Sequence, residues 1–322
     1  MKSFKIAGIE IKSKYVGAPL AGYSSLPMRK LDFSYGSYLN YTEMTSCNAL
    51  NYHNSKTDAM LPLEKEDGLL ALQLFGSDLE TVIKAIKYIE SKAVYDFLDF
   101  NLGCPAKKVL KQGSGSYLLQ DKDYLYKLMR NIVITSSKPV ICKMRLGFNS
   151  IEGVEIASIL EQAGVQAICV HGRTTKELFM GEVHYDEIRK IKDRVSIPVI
   201  ANGNIGINNI EQVEQITNAD AFMIGREAIG YPKIFEDLIN KEEGREIRKK
   251  NFLEQEECFK KHIELACKGK DELGACILLR GVAAAYFKGL ENMKELRMKL
   301  VTCSSKEEYY SALNEYKKKN FI

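Results

Sequence analysis

DFLDFNLGCPAKKVLKQGSGSYLL, residues 96–119, is an apolar run that ends in a displayed thiol. Its first eight residues read as a strand covered on both faces. Then the chain bends at Gly103-Cys104-Pro105, and lysines and the small-residue run GSGS follow. A cysteine wanted only for packing would more often sit inside the apolar run. This one follows directly on a strand end, with positive charge just behind it.

Seven further runs like DFLDFNLG lie on either side of it. They are YVGAPLA (15–21), YLNYTEMT (38–45), LLALQLFG (69–76), PVICKMRLG (139–147), QAICVHGR (166–173), IPVIANG (197–203) and ADAFMIGR (219–226). Amphipathic segments separate them. In SDLETVIKAIKYIES (77–91), Ser77 and Glu80 fit a capping box, and Leu79, Val82, Ile83 and Ile86 form one apolar face. IEGVEIASILEQAG (151–164) reads as a helix closed by Gly164, and NNIEQVEQITNA (208–219) as another. Eight alternating units of this kind predict an α/β chain: a (β/α)8 TIM barrel followed by a small C-terminal all-helical domain. A doubly wound sheet is the alternative. No G-x-G-x-x-G follows the first run, and GSGS comes after the fourth run without a third glycine in register.

The strand-helix alternation stops after residue 240, so the expected domains are 1–240 and 241–322. KEEGREIRKK (241–250) reads as a linker or solvated helix start. Beyond it Val282, Tyr286 and Leu290 recur at helical spacing with Phe287 beside them, and Tyr309, Leu313 and Tyr316 repeat the pattern.

Composition fits a soluble, cytoplasmic protein. No stretch is long and uncharged enough to span a bilayer, and the N-terminus lacks the apolar core of a signal peptide. The eight cysteines form no C-x-x-C pair, so a metal site is not expected, and several lie in apolar runs as reduced thiols. Net charge is +4, and all of the excess falls from residue 241 onward, with 18 basic against 14 acidic residues. A polyanion or a solvated helical face accounts for that bias equally well.

In a barrel of this class the active site lies at the C-terminal ends of the strands. Polar groups and glycines gather there: Pro19-Leu20-Ala21-Gly22 after the first run, Gln73 in the third, Asn101 and Cys104 at the fourth. Lys143 and Arg145 lie in the fifth, His171 and Arg173 at the end of the sixth. Asn202-Gly203-Asn204 ends the seventh and Gly225-Arg226 the eighth. The last two ends are the usual phosphate site of such barrels, which predicts a phosphorylated ligand. Arg145 and Arg173 are equally open to structural pairing. Lys107, Lys108 and Lys111 share one helical face and are open to being a solvated one.

In order, APLAGYS, YTEM, LQLFGSD, NLGCPAKKVLKQGSGSYLL, KMRLG, VHGRT, PVIANGNI and FMIGR resemble the tRNA-dihydrouridine synthase family. The resemblance implies an FMN enzyme that reduces the C5–C6 double bond of D-loop uridines in tRNA, with NADPH or NADH as reductant. It implies that Pro19, Leu20 and Ala21 line the flavin, and that Gln73 and Lys143 hydrogen-bond its ring. His171, Asn202, Gly203, Asn204, Gly225 and Arg226 would hold the ribityl chain and phosphate. Cys104 would be the general acid and Asn101 would position the uracil. Arg145, Arg173, Lys107 and Lys108 would face substrate, and Arg280 of the helical tail would contact tRNA. A monomer is expected, since RNA should cover the exposed groove. APLAG stands where many members have APMAG, NGNI where NGDI is commoner, and LLRGVAAAYFKG replaces a tail motif that often begins Arg-Lys-His. Two rival readings compete: an FMN barrel acting on a free pyrimidine, as dihydroorotate dehydrogenases do, and a non-catalytic RNA-binding barrel.

Overall fold

Each strand sends alternate side chains to opposite faces, and in this chain that period of two separates a packed floor from a polar rim. The structure, a computed structural model, describes residues 2–321. It begins with an antiparallel hairpin, β1 (Phe4–Ile6) and β2 (Ile9–Ile11). Eight parallel strands follow: β3 (Tyr15–Gly17), β4 (Leu39–Tyr41), β6 (Leu69–Phe75), β7 (Phe97–Leu102), β8 (Val140–Arg145), β9 (Ile168–His171), β10 (Val199–Asn202) and β11 (Ala221–Ile224). A two-residue strand, β5 (Thr45–Ser46), extends the pairing at the end of β6. The order in space is β3, β11, β10, β9, β8, β7, β6, β4. β4 and β3 meet at the remaining seam. There a Cβ on Gly17 would lie 2.3 Å from Asn40 Oδ1, so a larger residue would have to displace the Asn40 side chain at the seam.

All eight predicted strands are present in the predicted order, and the (β/α)8 barrel with a helical tail is the observed architecture. Inward positions climb in layers. Phe97, Ile141 and Ala167 pack at the base with Val16, Leu39 and Ala71, and the hairpin residues Phe4, Ile6 and Ile11 join the same cluster and plug that end. Two residues higher on the same strands come Gln73, Asp99, Lys143 and Cys169, and above those Asn101, Arg145 and His171. Outward-facing residues form a second core with the surrounding helices, including Leu98, Phe100, Cys142 and Val170.

One local expectation is corrected. The helix Leu79–Glu90 is capped by Asp78, whose carboxylate accepts from Thr81 N–H at 2.9 Å. Ser77 donates instead to the Gln112 carbonyl at 2.6 Å. Asp78 competes well as a cap because its carboxylate is a charged acceptor at the positive end of the helix dipole. Gly164 does close the helix Gly153–Ala163, at φ +97°.

The helix Ile234–Glu242 packs on β3, and four helices follow: Phe252–Cys267, Glu272–Tyr286, Lys294–Leu300 and Lys306–Phe321. Val282, Tyr286, Phe287, Tyr309 and Leu313 are buried together there around Phe259, and Leu31 from the helix Leu26–Ser34 joins them. This shared core docks the tail on the barrel.

His262 lies in that core, 2.9 Å from the Tyr286 hydroxyl, and burial pushes its pKa down to about 4. An unfolded histidine titrates near 6.5, so the unfolded chain binds the extra proton first as pH falls. The associated stability is present above about pH 6.5 and is lost toward pH 4, by roughly 3 kcal/mol in all. His262→Gln should therefore flatten the pH dependence of the denaturant midpoint between pH 6.5 and 4; an unchanged slope would refute the assignment.

Candidate active site

At the C-terminal ends of the strands lies a cavity of about 410 Å³, within the usual size range of small-molecule sites. Pro19, Leu20 and Ala21 form one part of its wall, and Gln73, Asn101 and Cys104 the next. Lys143, Arg145 and His171 follow around the ring, then Asn202, Gly203, Asn204, Gly225 and Arg226. Every residue predicted to hold a cofactor is thus brought to one place, together with the predicted thiol. These positions come from seven different strand ends, which is why no single sequence segment contains the site.

The Cys104 loop is tightly fixed. Asn101 Oδ1 accepts from the N–H groups of Gly103 and Cys104, at 3.2 and 2.9 Å. The Cys104 carbonyl accepts from the Ser116 N–H and hydroxyl, at 3.2 and 3.0 Å. Gly115 sits at φ +65°, and a Cβ there would lie 2.8 Å from the Cys104 carbonyl oxygen. The GSGS run is therefore the back of the cysteine turn: glycine permits the close approach and serine supplies the bonds. The thiol itself is half-buried. Burial pushes its pKa above the usual thiol range, opposed by the Ala106 backbone and by the charges of Arg145 and Lys143. It is a protonated acid at neutral pH.

Cationic side chains line the wall from β8 onward. Lys143 projects from β8 into the cavity, and burial pulls its pKa down. His171 is driven down to about 2, by burial first and then by Lys143, Arg145, Arg173 and Arg226. It is therefore neutral. Arg173 Nη1 lies 3.3 Å from His171 Nε2. A guanidinium can only donate, so Nε2 is the acceptor and Nδ1 carries the proton. Arg226 donates to Asn204 Oδ1 at 2.5 Å, and Asn202 Nδ2 donates to the Met223 carbonyl at 2.9 Å. Gly203 and Asn204 both have positive φ, +123° and +47°. A Cβ on Gly203 would come within 2.9 Å of the His171 ring. Glycine at 203 therefore lets the backbone pass close to His171, next to the Asn204–Arg226 pair.

Other predicted contacts fall elsewhere. Lys107 and Lys108 are exposed on the short helix Lys107–Leu110, outside the cavity wall. Arg145 lines the cavity, but its guanidinium donates to the carbonyls of Gly103, Thr174 and Leu178. Arg173 donates to the Met180 carbonyl at 3.0 Å and to that of Gly181. The two arginines thus hold down the loop 174–181 that follows β9. Arg280 donates to the carbonyls of Cys303 and Thr302 within the tail.

Sequence reading missed Phe179, which this loop presents at the cavity wall, 57% exposed. Its ring lies 5.3 Å from the Arg145 guanidinium and 5.8 Å from that of Arg226. It also missed Asp99, fully buried beneath Gln73. Glu43, at a strand end and open to pairing with Arg145 or a lysine, instead accepts from Gly22 N–H at 2.6 Å. Asp99 was open to detection, because an acidic residue inside a strand otherwise apolar calls for a partner. Among the described residues, no group of three or more histidine, cysteine or acidic side chains is placed to hold a metal ion. Among them, too, no helix is long and apolar enough to cross a membrane.

The family described as "Dihydrouridine synthase (Dus)" matches residues 16–321, barrel and tail alike. The tRNA-dihydrouridine synthase B of Pasteurella multocida is 38% identical over 244 residues, covering 74% of this chain and 73% of that protein. The tRNA-dihydrouridine synthase B of Escherichia coli is 38% identical over 238 residues, covering 73% of this chain and 74% of its own length. Among solved structures, the crystal structure of TcOYE with pHBA superposes with a TM-score of 0.54 at 11% identity, covering 79% of this chain and 95% of that one. That likeness concerns the fold alone.

Proposed function

The chain belongs to the dihydrouridine synthase family, and from that premise we propose that it reduces the C5–C6 double bond of D-loop uridine in tRNA. FMN is the proposed cofactor, NADPH or NADH the reductant and Cys104 the proton donor. The observation that carries this reading is a thiol kept protonated by burial, fixed at the wall of a cavity that is also lined by cationic side chains.

The residues present suit FMN. The backbone of Gly203, Asn204 and Gly225 with the Arg226 guanidinium offers donors and charge for its phosphate. Lys143 and Gln73 would hold the ring, Lys143 with a positive charge suited to an electron-rich form. Pro19, Leu20 and Ala21 would wall it in, and neutral His171 would donate through Nδ1. When bound, FMN would supply a hydride to uracil C6, with NADPH or NADH as the source of its electrons.

The chain's own residues then complete the chemistry. Hydride addition leaves an electron pair at C5, which takes the proton from Cys104 Sγ. The thiolate left behind regains a proton from solvent. A carboxylic acid at this place would normally be ionised at neutral pH and could not donate. Asn101 lines the same wall as the thiol and would orient the uracil. Such a base must leave its stack to enter a barrel mouth. Lys107 and Lys108, at the rim, would meet RNA phosphates, as would residues 241–322 as a tRNA-binding unit on a monomeric barrel.

Incubation of the purified protein with FMN, NADPH and unmodified tRNA should yield dihydrouridine in the D-loop, mapped by primer extension or mass spectrometry. FMN-loaded protein that leaves this RNA unchanged but reduces free uracil or orotate would overturn the proposal.

A further inference from the structure

Beneath the cavity wall, side-chain hydrogen bonds run in a line from the barrel interior to the Cys104 loop. Gly103 and Cys104 donate their N–H groups to Asn101 Oδ1, at 3.2 and 2.9 Å. Asn101 Nδ2 donates to Gln73 Oε1 at 2.9 Å. Gln73 Nε2 donates to Asp99 Oδ2 at 2.5 Å. Each carboxamide has one donating and one accepting end, so its orientation depends on the neighbours at both ends. The line is fixed at one terminus by backbone N–H groups, which only donate. At the other it meets a carboxyl group, fully buried, whose second oxygen has no hydrogen-bond partner among the described residues.

We propose that Asp99 is a positioning residue: as the terminal acceptor it sets the polarity of the Gln73 and Asn101 carboxamides, and through them holds the backbone of Cys104 in place. The inference rests on Cys104 being the proton donor for its functional meaning, but the geometry it concerns is that of the loop. Were Gln73 turned over, its oxygen would face Asp99. Asn101 would then have to turn as well, pointing its NH2 group at two N–H donors. The register supports the arrangement, since Asp99 on β7 pairs with Gln73 on β6, and Asn101 with Lys143 on β8. Burial drives the Asp99 pKa up to about 8, opposed by the Gln73 hydrogen bond and the Lys143 charge, so the carboxyl acts purely as an acceptor, and forces this polarity, once it is ionised above that pH. The other titratable groups coupled to it by charge are Tyr41 from β4, Cys169 from β9 and, from the outer face of β8, Cys142. Burial pushes all three above their usual ranges, so they stay neutral.

The polarity can be reversed on purpose. Asn101→Asp keeps an acceptor for the loop N–H groups but can no longer donate to Gln73. Gln73 must turn over, setting its oxygen against Asp99. At about pH 9 Asp99 is ionised, so that contact has two acceptors and no proton. Asp99→Asn supplies the missing NH2 donor and lets the line run in the opposite direction.

The test compares FMN-loaded parent, N101D, D99N and D99N/N101D at about pH 9. The rate of iodoacetamide labelling at Cys104 is read by peptide mass spectrometry. N101D should label about tenfold faster than the parent, and D99N/N101D should return to within about threefold of it, a coupling of the size seen for residues in one network. D99N alone should label like the parent, because an asparagine oxygen still accepts from Gln73. Should N101D not fold, the unfolding midpoints of the other three at the same pH decide: D99N/N101D must stand close to D99N. Equal labelling of N101D and the double variant, or parental labelling of N101D, would overturn the proposal, as would a collapsed midpoint of the double variant. A separate failure, of Cys104 as proton donor, would show as unimpaired tRNA reduction by Cys104→Ala with this labelling pattern intact.

Discussion

Cys104→Ala should slow tRNA reduction by roughly 10²–10⁴-fold, the range that a positioned general acid contributes. FMN binding and its reduction by NADPH should be unaffected. The split follows from how the loop is held. The bonds that fix its backbone run through the Cys104 N–H and carbonyl, to Asn101 and Ser116, while the sulfur interacts with the Ala106 backbone. Alanine keeps the backbone bonds and removes the thiol with its proton. Single-turnover mixing of reduced enzyme with tRNA separates the two half-reactions. A variant that reduces tRNA at the parental rate would remove Cys104 from the mechanism. The pH profile gives a second reading of the same group. Because burial raises the thiol pKa, the limb where activity falls through loss of the acid should lie above about pH 8.5, the usual thiol value.

How much of this was readable beforehand depends on the range of the forces involved. All eight barrel strands were legible because parallel strands covered on both faces must be apolar over several consecutive residues. The cavity residues were legible for a related reason. A lysine in VICKMR or a histidine ending ICVH departs from an apolar run at the end where barrels place their chemistry. The Asp78 cap was missed because Ser77 and Asp78 are both good caps one residue apart, and the choice depended on Gln112, which binds Ser77 from 35 residues away. The hairpin at Phe4–Ile11 was missed because two three-residue strands give too short a pattern, although Ala7 and Gly8, both at positive φ, mark its turn. Phe179 lies in a loop with no hydrophobic period, so nothing local distinguishes it from a solvated aromatic. Its place at the cavity is set by Arg145 and Arg173, which are bonded to its neighbours rather than to it.

Arg145→Ala should release the loop 174–181 before any substrate is added. The Arg145 side chain is 1% exposed and serves the carbonyls of Gly103, Thr174 and Leu178, at 2.9, 2.7 and 2.7 Å. Alanine removes three donors from these carbonyls, of which that of buried Thr174 is the most costly to leave without a partner, at about 1–3 kcal/mol for such a group. The loop's other ties are spread along its length: Thr175 and Lys176 donate to the carbonyls of Gly147 and Phe148, Glu177 accepts from Thr174 and pairs with His184, and Arg173 holds the Met180 and Gly181 carbonyls at the far end. A local loss of about 3 kcal/mol corresponds to roughly a hundredfold faster exchange of the Thr175 and Lys176 amides. Arg145→Lys should not restore protection, since one ammonium cannot span carbonyls that a planar guanidinium fork meets together. Burial and the Arg173 charge lower the Arg145 pKa only to about 10, so the fork stays cationic at neutral pH and its charge still acts on the thiol. An arginine that served mainly to bind RNA would behave differently. Its loss would weaken tRNA affinity, steeply so with added salt, while amide exchange in the free protein stayed at the parental rate. Fast exchange in the free variant, with Phe179 no longer held beside Arg226, assigns Arg145 to building the cavity wall. Parental exchange with weakened RNA binding assigns it to the substrate.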